Sequence, residues 1–242
     1  MLDLASSLSD IPETRRDGPW AGHEHVKGWA VFGLPFDSGH VLALRVLPQS
    51  NVTPYRSLYH RNPQGNWALY VDGPKACACT RYYGSACELT GYTRLRVEWT
   101  GLATVHITLN EPAVDWTFTA TSDWRLGLMN TINAALPMAS WRSRSLLRAR
   151  ELAARALGLG DLRLRTVTPS GHVGTFMPER IYFIEQSSAS FDGVDLGRPA
   201  HWRENPMIGS LPLPTRGILA SGQAVWQTRD QSELDRMQAE IA

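Results

Sequence analysis

Asp115 is the first candidate for acid chemistry, because its carboxyl group lies in a strand that alternates between apolar and polar residues. Trp116 and Phe118 share one face of that strand, so Asp115 shares the other face with two threonines. If this second face lines the lumen of a barrel, burial raises the pKa of the carboxyl group and lets it act as a general acid. If it faces solvent, Asp115 has no such role. Glu185 raises the same question, because residues 181–184 are apolar on both faces of their strand.

His60 and Asp72 are the next candidates for acid–base catalysis. Each follows a short apolar strand, and a hairpin across residues 61–65 would join the two strands. We expect the polar side chains to gather at one end of that hairpin. They can equally be ordinary polar residues at strand ends, since only a pocket would shift their pKa values enough for catalysis. The side chains predicted to bind a ligand are aromatic or histidine residues of the strands and turns: Tyr55, Tyr59, Trp67, Tyr70, Trp116, His172, Tyr182 and Trp226.

The three cysteines, Cys77, Cys79 and Cys87, lie close together in the chain. Structural zinc sites use a C-x₂₋₄-C spacing and a second pair of ligands, whereas only one residue separates the first two cysteines here. We therefore predict no metal site and interpret the thiols as small buried hydrophobic groups, with a reactive Cys79 beside Arg81 as the alternative. No phosphate loop, dinucleotide fingerprint or nucleophile elbow occurs, so no cofactor is expected.

The elements that must position these residues are strands. Alternating apolar and polar residues with intervening turns predict strands at 28–36, 40–47, 54–60, 66–72, 92–99, 103–109, 114–120, 161–168, 173–177, 180–186 and 216–228. Three- and four-residue spacing predicts a helix after an N-cap at Ser122, a second helix over 141–157 and a short C-terminal helix. We therefore predict a mainly β fold. About ten antiparallel strands close into a barrel or half-barrel, with an inserted helical hairpin at 122–158. An open sheet wrapped round a helix is the alternative.

Length and composition limit the class of protein. The 242 residues form one predicted domain, 1–242, in which 1–27 are an N-terminal extension. A formal net charge of +1 argues against a nucleic-acid partner, and no apolar run approaches the length of a membrane span, so we expect a cytoplasmic protein. The arginine-rich second helix could meet a membrane surface or an acidic partner, although such a face is usually solvated. The oligomeric state is not predicted.

Two stretches resemble the lipocalin-like repeat of carotenoid hydratases and tocopherol-cyclase relatives. One runs from His40–Val46 to Pro54-Tyr55, and the other joins Trp99–Gly101 to Thr104–Ile107 and Glu111. The resemblance implies a lipocalin-like barrel whose cavity holds an isoprenoid-like molecule and adds water or closes a ring without a cofactor. The family's C-terminal catalytic acid has no match in this chain, so no catalytic residue is transferred.

Two functions are consistent with these observations. The leading hypothesis is a cofactor-independent lyase, cyclase or isomerase that acts by acid–base chemistry on a small apolar substrate, isoprenoid- or polyketide-like, in the cavity. The second is a non-catalytic carrier for a small hydrophobic ligand. An enzyme needs a desolvated acid or base in the cavity, whereas a carrier needs only an apolar lining and a polar rim.

Overall fold

The computed structural model describes residues 2–239 and is mainly β, with 42% strand and 21% helix. Its strands, numbered in chain order, are β1 (Thr14–Arg15), β2 (His23–Pro35), β3 (Val41–Ser50), β4 (Tyr55–Arg61), β5 (Trp67–Asp72), β6 (Leu89–Tyr92), β7 (Arg96–Trp99), β8 (Thr104–Leu109), β9 (Val114–Thr121), β10 (Arg165–Val167), β11 (Val173–Phe191), β12 (Val194–Asp195), β13 (Met207–Ile208), β14 (Leu211–Pro212) and β15 (Ile218–Gln227). The helices are α1 (Ala5–Leu8), α2 (Ala78–Tyr83), α3 (Trp124–Ala135), α4 (Arg144–Ala156) and α5 (Gln231–Ala239), with 3₁₀ turns at Gly84–Ala86 and Met138–Trp141.

Ten strands form one hydrogen-bonded path in the order β6-β5-β4-β3-β2-β15-β11-β9-β8-β7, and this sheet curls into a half-barrel. The predicted fold class, including the inserted helices and the short C-terminal helix, is confirmed. Two pairings depart from the antiparallel prediction, because β6 runs parallel to β5 and β1 runs parallel to β3. The two strands predicted at 173–177 and 180–186 are one long strand, β11, which a bulge between Pro178 and Arg180 interrupts.

The helices differ from the prediction at their ends and in one loop. Asp123, not Ser122, caps α3, because its carboxylate accepts a hydrogen bond from the Leu126 amide. The second helix begins at Arg144, after a 3₁₀ turn. The segment of residues 73–91, predicted as a loop, contains α2. Within residues 2–239, no helix combines the length and the apolar character needed to cross a membrane.

The concave face of the sheet holds a packed core. Leu42 and Leu44 of β3 belong to the same buried cluster as Val105 and Ile107 of β8. Since β3 and β8 are far apart along the path of strands, only the curl of the sheet brings them together. Side chains therefore fill the interior of the half-barrel, and the N-terminal segment adds Leu4 and Leu8, at the two ends of α1, to it.

The convex face is also buried, because three segments lie on it. Alternate residues of β3, such as Val41 and Ala43, pack with α2 and with residues 208–213 of the proline-rich loop. Ile181 of β11 and Ile218 of β15 pack with residues of α3 and α4. We call these three segments, residues 73–91, residues 198–214 and the α3–α4 pair, the cover.

Candidate ligand-binding cavity on the convex face

A cavity of about 60 Å³ lies between the convex face and the cover. Its walls are mostly apolar, and the lining includes Phe32, Arg45, Tyr55, Tyr59, Trp67, Tyr83, Phe176 and Trp226. The sheet contributes most of this set, whereas Tyr83 comes from α2 in the cover. The enclosed space therefore lies outside the half-barrel, on the face opposite to the lumen that the sequence suggested.

Arg45 is the charged residue in this cavity wall. Its Nη1 donates to the carbonyl oxygens of Val31 at 2.6 Å and Leu44 at 3.1 Å, and these are its hydrogen bonds within residues 2–239. None of the ion pairs in the described part of the chain includes it. Burial lowers the pKa of this guanidinium, which nevertheless stays charged because an arginine loses its proton only at very high pH.

A β-bulge places an aromatic ring against this charge. The pairing of β2 with β3 shifts between Val31 and Leu34, so that two residues of β2, Phe32 and Gly33, lie opposite Ala43. Phe32 then lies on the convex face, and the Cζ atom of Arg45 is 4.8 Å from its ring centre. A cation over an aromatic face gains only a modest electrostatic attraction, so this contact does not replace a counter-ion.

Three tyrosines with neutral hydroxyl groups line the cavity together with Arg45. Burial raises the pKa values of Tyr55, Tyr59 and Tyr83, so each keeps its proton at neutral pH. The Tyr83 hydroxyl accepts a hydrogen bond from the Trp226 indole at 3.4 Å. A guanidinium and hydroxyl donors in one mostly apolar cavity, which Ser221 and Gln223 also line, suit an anionic group on an apolar ligand.

A buried ion pair holds α2 in place above the cavity. Glu24 of β2 is fully buried, and its two carboxylate oxygens accept hydrogen bonds from Arg81 and, at 2.7 Å, from the Tyr82 hydroxyl. Tyr82 also stacks on Trp226, with ring centres 4.8 Å apart. These contacts join the cover to the sheet and thereby position the adjacent Tyr83 in the cavity wall.

An open cleft of about 750 Å³ lies between α3 and α4, with the sheet as its floor. It is lined mainly by apolar side chains, and Phe32, Phe176, Pro178, Leu211 and Ala220 line both the cleft and the cavity. The rings of Phe32 and Phe176 meet edge to face at 6.0 Å. The two spaces are therefore neighbours that share a wall of apolar side chains.

The structure divides the predicted ligand-binding residues into three groups. Tyr55, Tyr59, Trp67 and Trp226 line the cavity. Tyr70, Trp116 and Tyr182 belong to the concave core instead. His172 lies beside α5, where its Nε2 is 3.3 Å from a carboxylate oxygen of Glu233.

Asp115 and Glu185 face solvent. The Asp115 side chain is 68% exposed and lies 3.3 Å from His106, and the Glu185 side chain is 58% exposed and lies 3.4 Å from Arg216. The condition under which Asp115 would be a lumen acid is therefore not met, because the cover lies over other strands. Glu185 lies within β11, directly after residues 181–184, at the irregularity between Ile184 and Gln186 in the pairing with β9, and its carboxylate faces solvent.

His60 and Asp72 do not meet, which corrects the expectation that they gather at one end of a hairpin. The hairpin does form, but its register pairs His60 with Ala68 and Asp72 with Arg56. Antiparallel strands place the end of one beside the start of the other, so the two side chains lie at opposite ends. Asp72 accepts a hydrogen bond from the Leu95 amide at 3.0 Å.

His60 belongs to a separate stack of rings. Its Nε2 lies 2.8 Å from Nδ1 of His40, and Phe191 stacks on its other face with ring centres 3.8 Å apart. Burial, followed by repulsion from His40, lowers the pKa of His60 to about 4. The ring is therefore neutral at physiological pH.

Cys77 and Cys79 are buried, and their Sγ atoms lie 3.1 Å apart. A hydrogen bond from Cys79 lowers the pKa of Cys77 to about 7, whereas burial raises that of Cys79. The more acidic thiol is therefore Cys77, not the Cys79 that its arginine neighbour suggested. Within residues 2–239, no group of three or more His, Cys, Asp or Glu side chains could hold a metal ion.

Sequence reasoning missed Arg45 and Tyr83. Arg45 is the lone charge in the apolar run Val41–Leu47, and this interruption was the available signal. Tyr83 gave no comparable signal, because nothing in its short segment indicated a helix that folds back onto the sheet. Comparison with known proteins names no family, since no protein-family model matches the chain and no curated protein matches it at a significant level. The function is therefore inferred from the cavity.

Proposed function

We propose that this protein binds a small amphipathic molecule whose anionic end, a carboxylate, pairs with Arg45 in the cavity. One observation carries the proposal: a guanidinium lies in a largely apolar cavity wall with two backbone carbonyls as its only hydrogen-bond partners within residues 2–239. Burying a charge without a counter-ion costs several kcal/mol. A bound carboxylate supplies that counter-ion, and the planar guanidinium matches its two oxygens.

Binding without chemistry fits the cavity better than the lyase, cyclase or isomerase that sequence reasoning favoured. An acid–base mechanism needs a proton donor or acceptor whose pKa lies near the working pH. The ionisable groups that line the cavity are Arg45 and three tyrosines with raised pKa values, and none of Asp72, Asp115, Glu185 and His60 lines it. We therefore propose a carrier or binding protein, located in the cytoplasm and without a nucleic-acid partner.

The experiment compares dodecanoate with dodecanol, which differ in charge but little in apolar area. Binding is followed by tryptophan fluorescence, because Trp67 and Trp226 line the cavity, and by calorimetry. The natural protein should prefer the acid. Arg45→Met should weaken binding of the acid by about 10- to 100-fold, the value of hydrogen bonds to a charged group, and leave binding of the alcohol unchanged.

Arg56→Met is the matched control, because Arg56 is a partly exposed arginine of the neighbouring strand β4 and should not affect either ligand. Equal affinity of the natural protein for acid and alcohol would contradict the proposal. So would an Arg45→Met variant that keeps its full preference for the acid.

A further inference from the structure

We infer that the ligand is a long-chain aliphatic carboxylate whose chain leaves the Arg45 cavity and lies in the cleft between α3 and α4. This inference rests on the proposed function and names the class of ligand more closely. The Arg45 cavity and the cleft differ greatly in volume. The cavity of about 60 Å³ has room for an anionic group and a few carbon atoms, since a cavity needs about 10–15 Å³ to hold one water molecule. The cleft, at about 750 Å³, is far larger.

The two spaces share a wall that contains a pair of aromatic rings. Phe32 lies 4.8 Å from the charge of Arg45 and also lines the cleft, as does Phe176. In the proposed complex, the chain of a carboxylate bound to Arg45 passes these two rings to enter the cleft. No polar or charged residue is among the five that line both spaces.

The cleft presents exposed apolar side chains that suit such a chain. Trp124, Leu128 and Ile132 are 74%, 56% and 53% exposed, and their four-residue spacing places them on one face of α3. On the other side, α4 contributes Ala149 and Ala153, whose small side chains leave room between the helices. Contiguous apolar exposure of this kind is typical of a binding site.

The charges around the two spaces fix the direction of the ligand. None of the described residues that line the cleft is acidic. Its arginines are Arg125 of α3, Arg150 of α4 and Arg163 after α4, and none of them lies on the sheet that forms the floor. Arg45, a half-buried cation that has no counter-ion within residues 2–239, is at the inner end. When a carboxylate binds there, its aliphatic chain can cover the apolar cleft. A short acid would not extend into the cleft, and a ligand with two charged ends would place a charge on its apolar lining.

The test is a chain-length series of octanoate, dodecanoate and hexadecanoate, each below its micelle concentration. We expect the affinity to rise by about fourfold for each methylene that enters the cleft, the value for burying one such group. The double variant Leu128→Gln, Ile132→Gln should weaken hexadecanoate binding by tenfold or more and leave octanoate binding unchanged. Both side chains are exposed, so the variant should fold. Val194→Gln, at an exposed valine of β12 outside the cleft, is the control.

A spectroscopic measurement reports on the cleft directly. Hexadecanoate should shift the emission of the natural protein to the blue by more than octanoate does, and Trp124→Phe should remove that additional shift. Equal affinities for octanoate and hexadecanoate would overturn this inference and leave the proposed function standing. Failure of every acid to bind would overturn both. Loss of a dimer in the double variant, without any change in ligand affinity, would show that a second copy of the chain covers the cleft, and would also overturn the inference.

Discussion

Arg45 and Arg81 are both largely buried on the convex side of the sheet, and they differ in whether the chain itself supplies a counter-ion. Arg81 pairs with the fully buried carboxylate of Glu24, whereas Arg45 donates only to two backbone carbonyls within residues 2–239. Burial lowers the pKa of Arg45. At Arg81 the same effect of burial is outweighed by Glu24, so its pKa is raised. The paired arginine holds the cover on the sheet, and the unpaired one is available to an anion from outside.

The largest expected effect tests the paired arginine. Glu24→Ala should lower the free energy of unfolding by about 3–5 kcal/mol, because it leaves the Arg81 charge buried without a partner. Urea denaturation measures the change. Glu13→Ala is the control, since the pair of Glu13 with Arg56 is exposed and should contribute at most about 1 kcal/mol. A loss from Glu24→Ala as small as that of the control would remove the structural role given to this pair.

The pH dependence of the free energy of unfolding measures what it costs to protonate the buried His60 ring. Its pKa is lowered from 6.5 to about 4, so between these values the unfolded chain takes up a proton that the folded protein does not. Stability should therefore fall by about 3 kcal/mol as the pH drops through this window, and none of this loss occurs above it. Unfolding free energies of the natural protein and His60→Gln, measured across the window, check this.

His60→Gln should reduce this loss of stability, and the part that remains comes from His25 and His40, whose pKa values are also lowered by burial. His201→Gln, at an exposed histidine, should leave the profile unchanged. If the natural protein kept its full stability down to about pH 4, the assignment of His60 as a buried neutral base would be wrong.

A smaller effect is expected when the unpaired arginine is removed from the ligand-free protein. Arg45→Met should change the free energy of unfolding by no more than about 1 kcal/mol, because the lost hydrogen bonds to two carbonyls are offset by the relief of an unpaired buried charge. Arg81→Met should cost about 3 kcal/mol or more, since it leaves the Glu24 carboxylate unpaired. Thermal and urea unfolding of the two variants compare them directly. Similar losses in both would mean that Arg45 has a structural role like that of Arg81.

The smallest effect is expected at the carboxylate that sequence reasoning placed first. Asp115→Asn should change the stability by less than about 0.5 kcal/mol, because the side chain is 68% exposed. Binding of dodecanoate should also be unaffected, since Asp115 does not line the cavity. A large loss of binding in this variant would show that the functional site lies on β9 rather than around Arg45.

The elements could be predicted because their signals are local. Alternation along β8 and β9, glycines after α4 and the helical spacing of residues 124–136 each depend on neighbours in the chain. The helix α2 escaped prediction because only six residues form it, and packing against the sheet rather than any local preference stabilises so short a helix.

The candidate site was predicted only in part. Tyr55, Tyr59, Trp67 and Trp226 line the cavity as aromatic residues of strands were expected to, but Arg45 was overlooked. Its importance comes from a missing partner, and whether a cation has a partner is a property of three-dimensional packing. The pairing of Glu24 with Arg81 joins residues far apart in the chain, and nothing local indicates it.

Alternation along the strands of this chain already determined which side chains share a face, because successive residues of a strand point to opposite sides of a sheet. It placed Ala43 and Arg45 together and set Leu42 and Leu44 apart from them. Which face became the filled interior and which received a cavity was decided by the curl of the sheet and by the segments that fold onto it. Both depend on contacts between distant residues, so only the tertiary structure places Arg45 in a cavity and Asp115 in solvent.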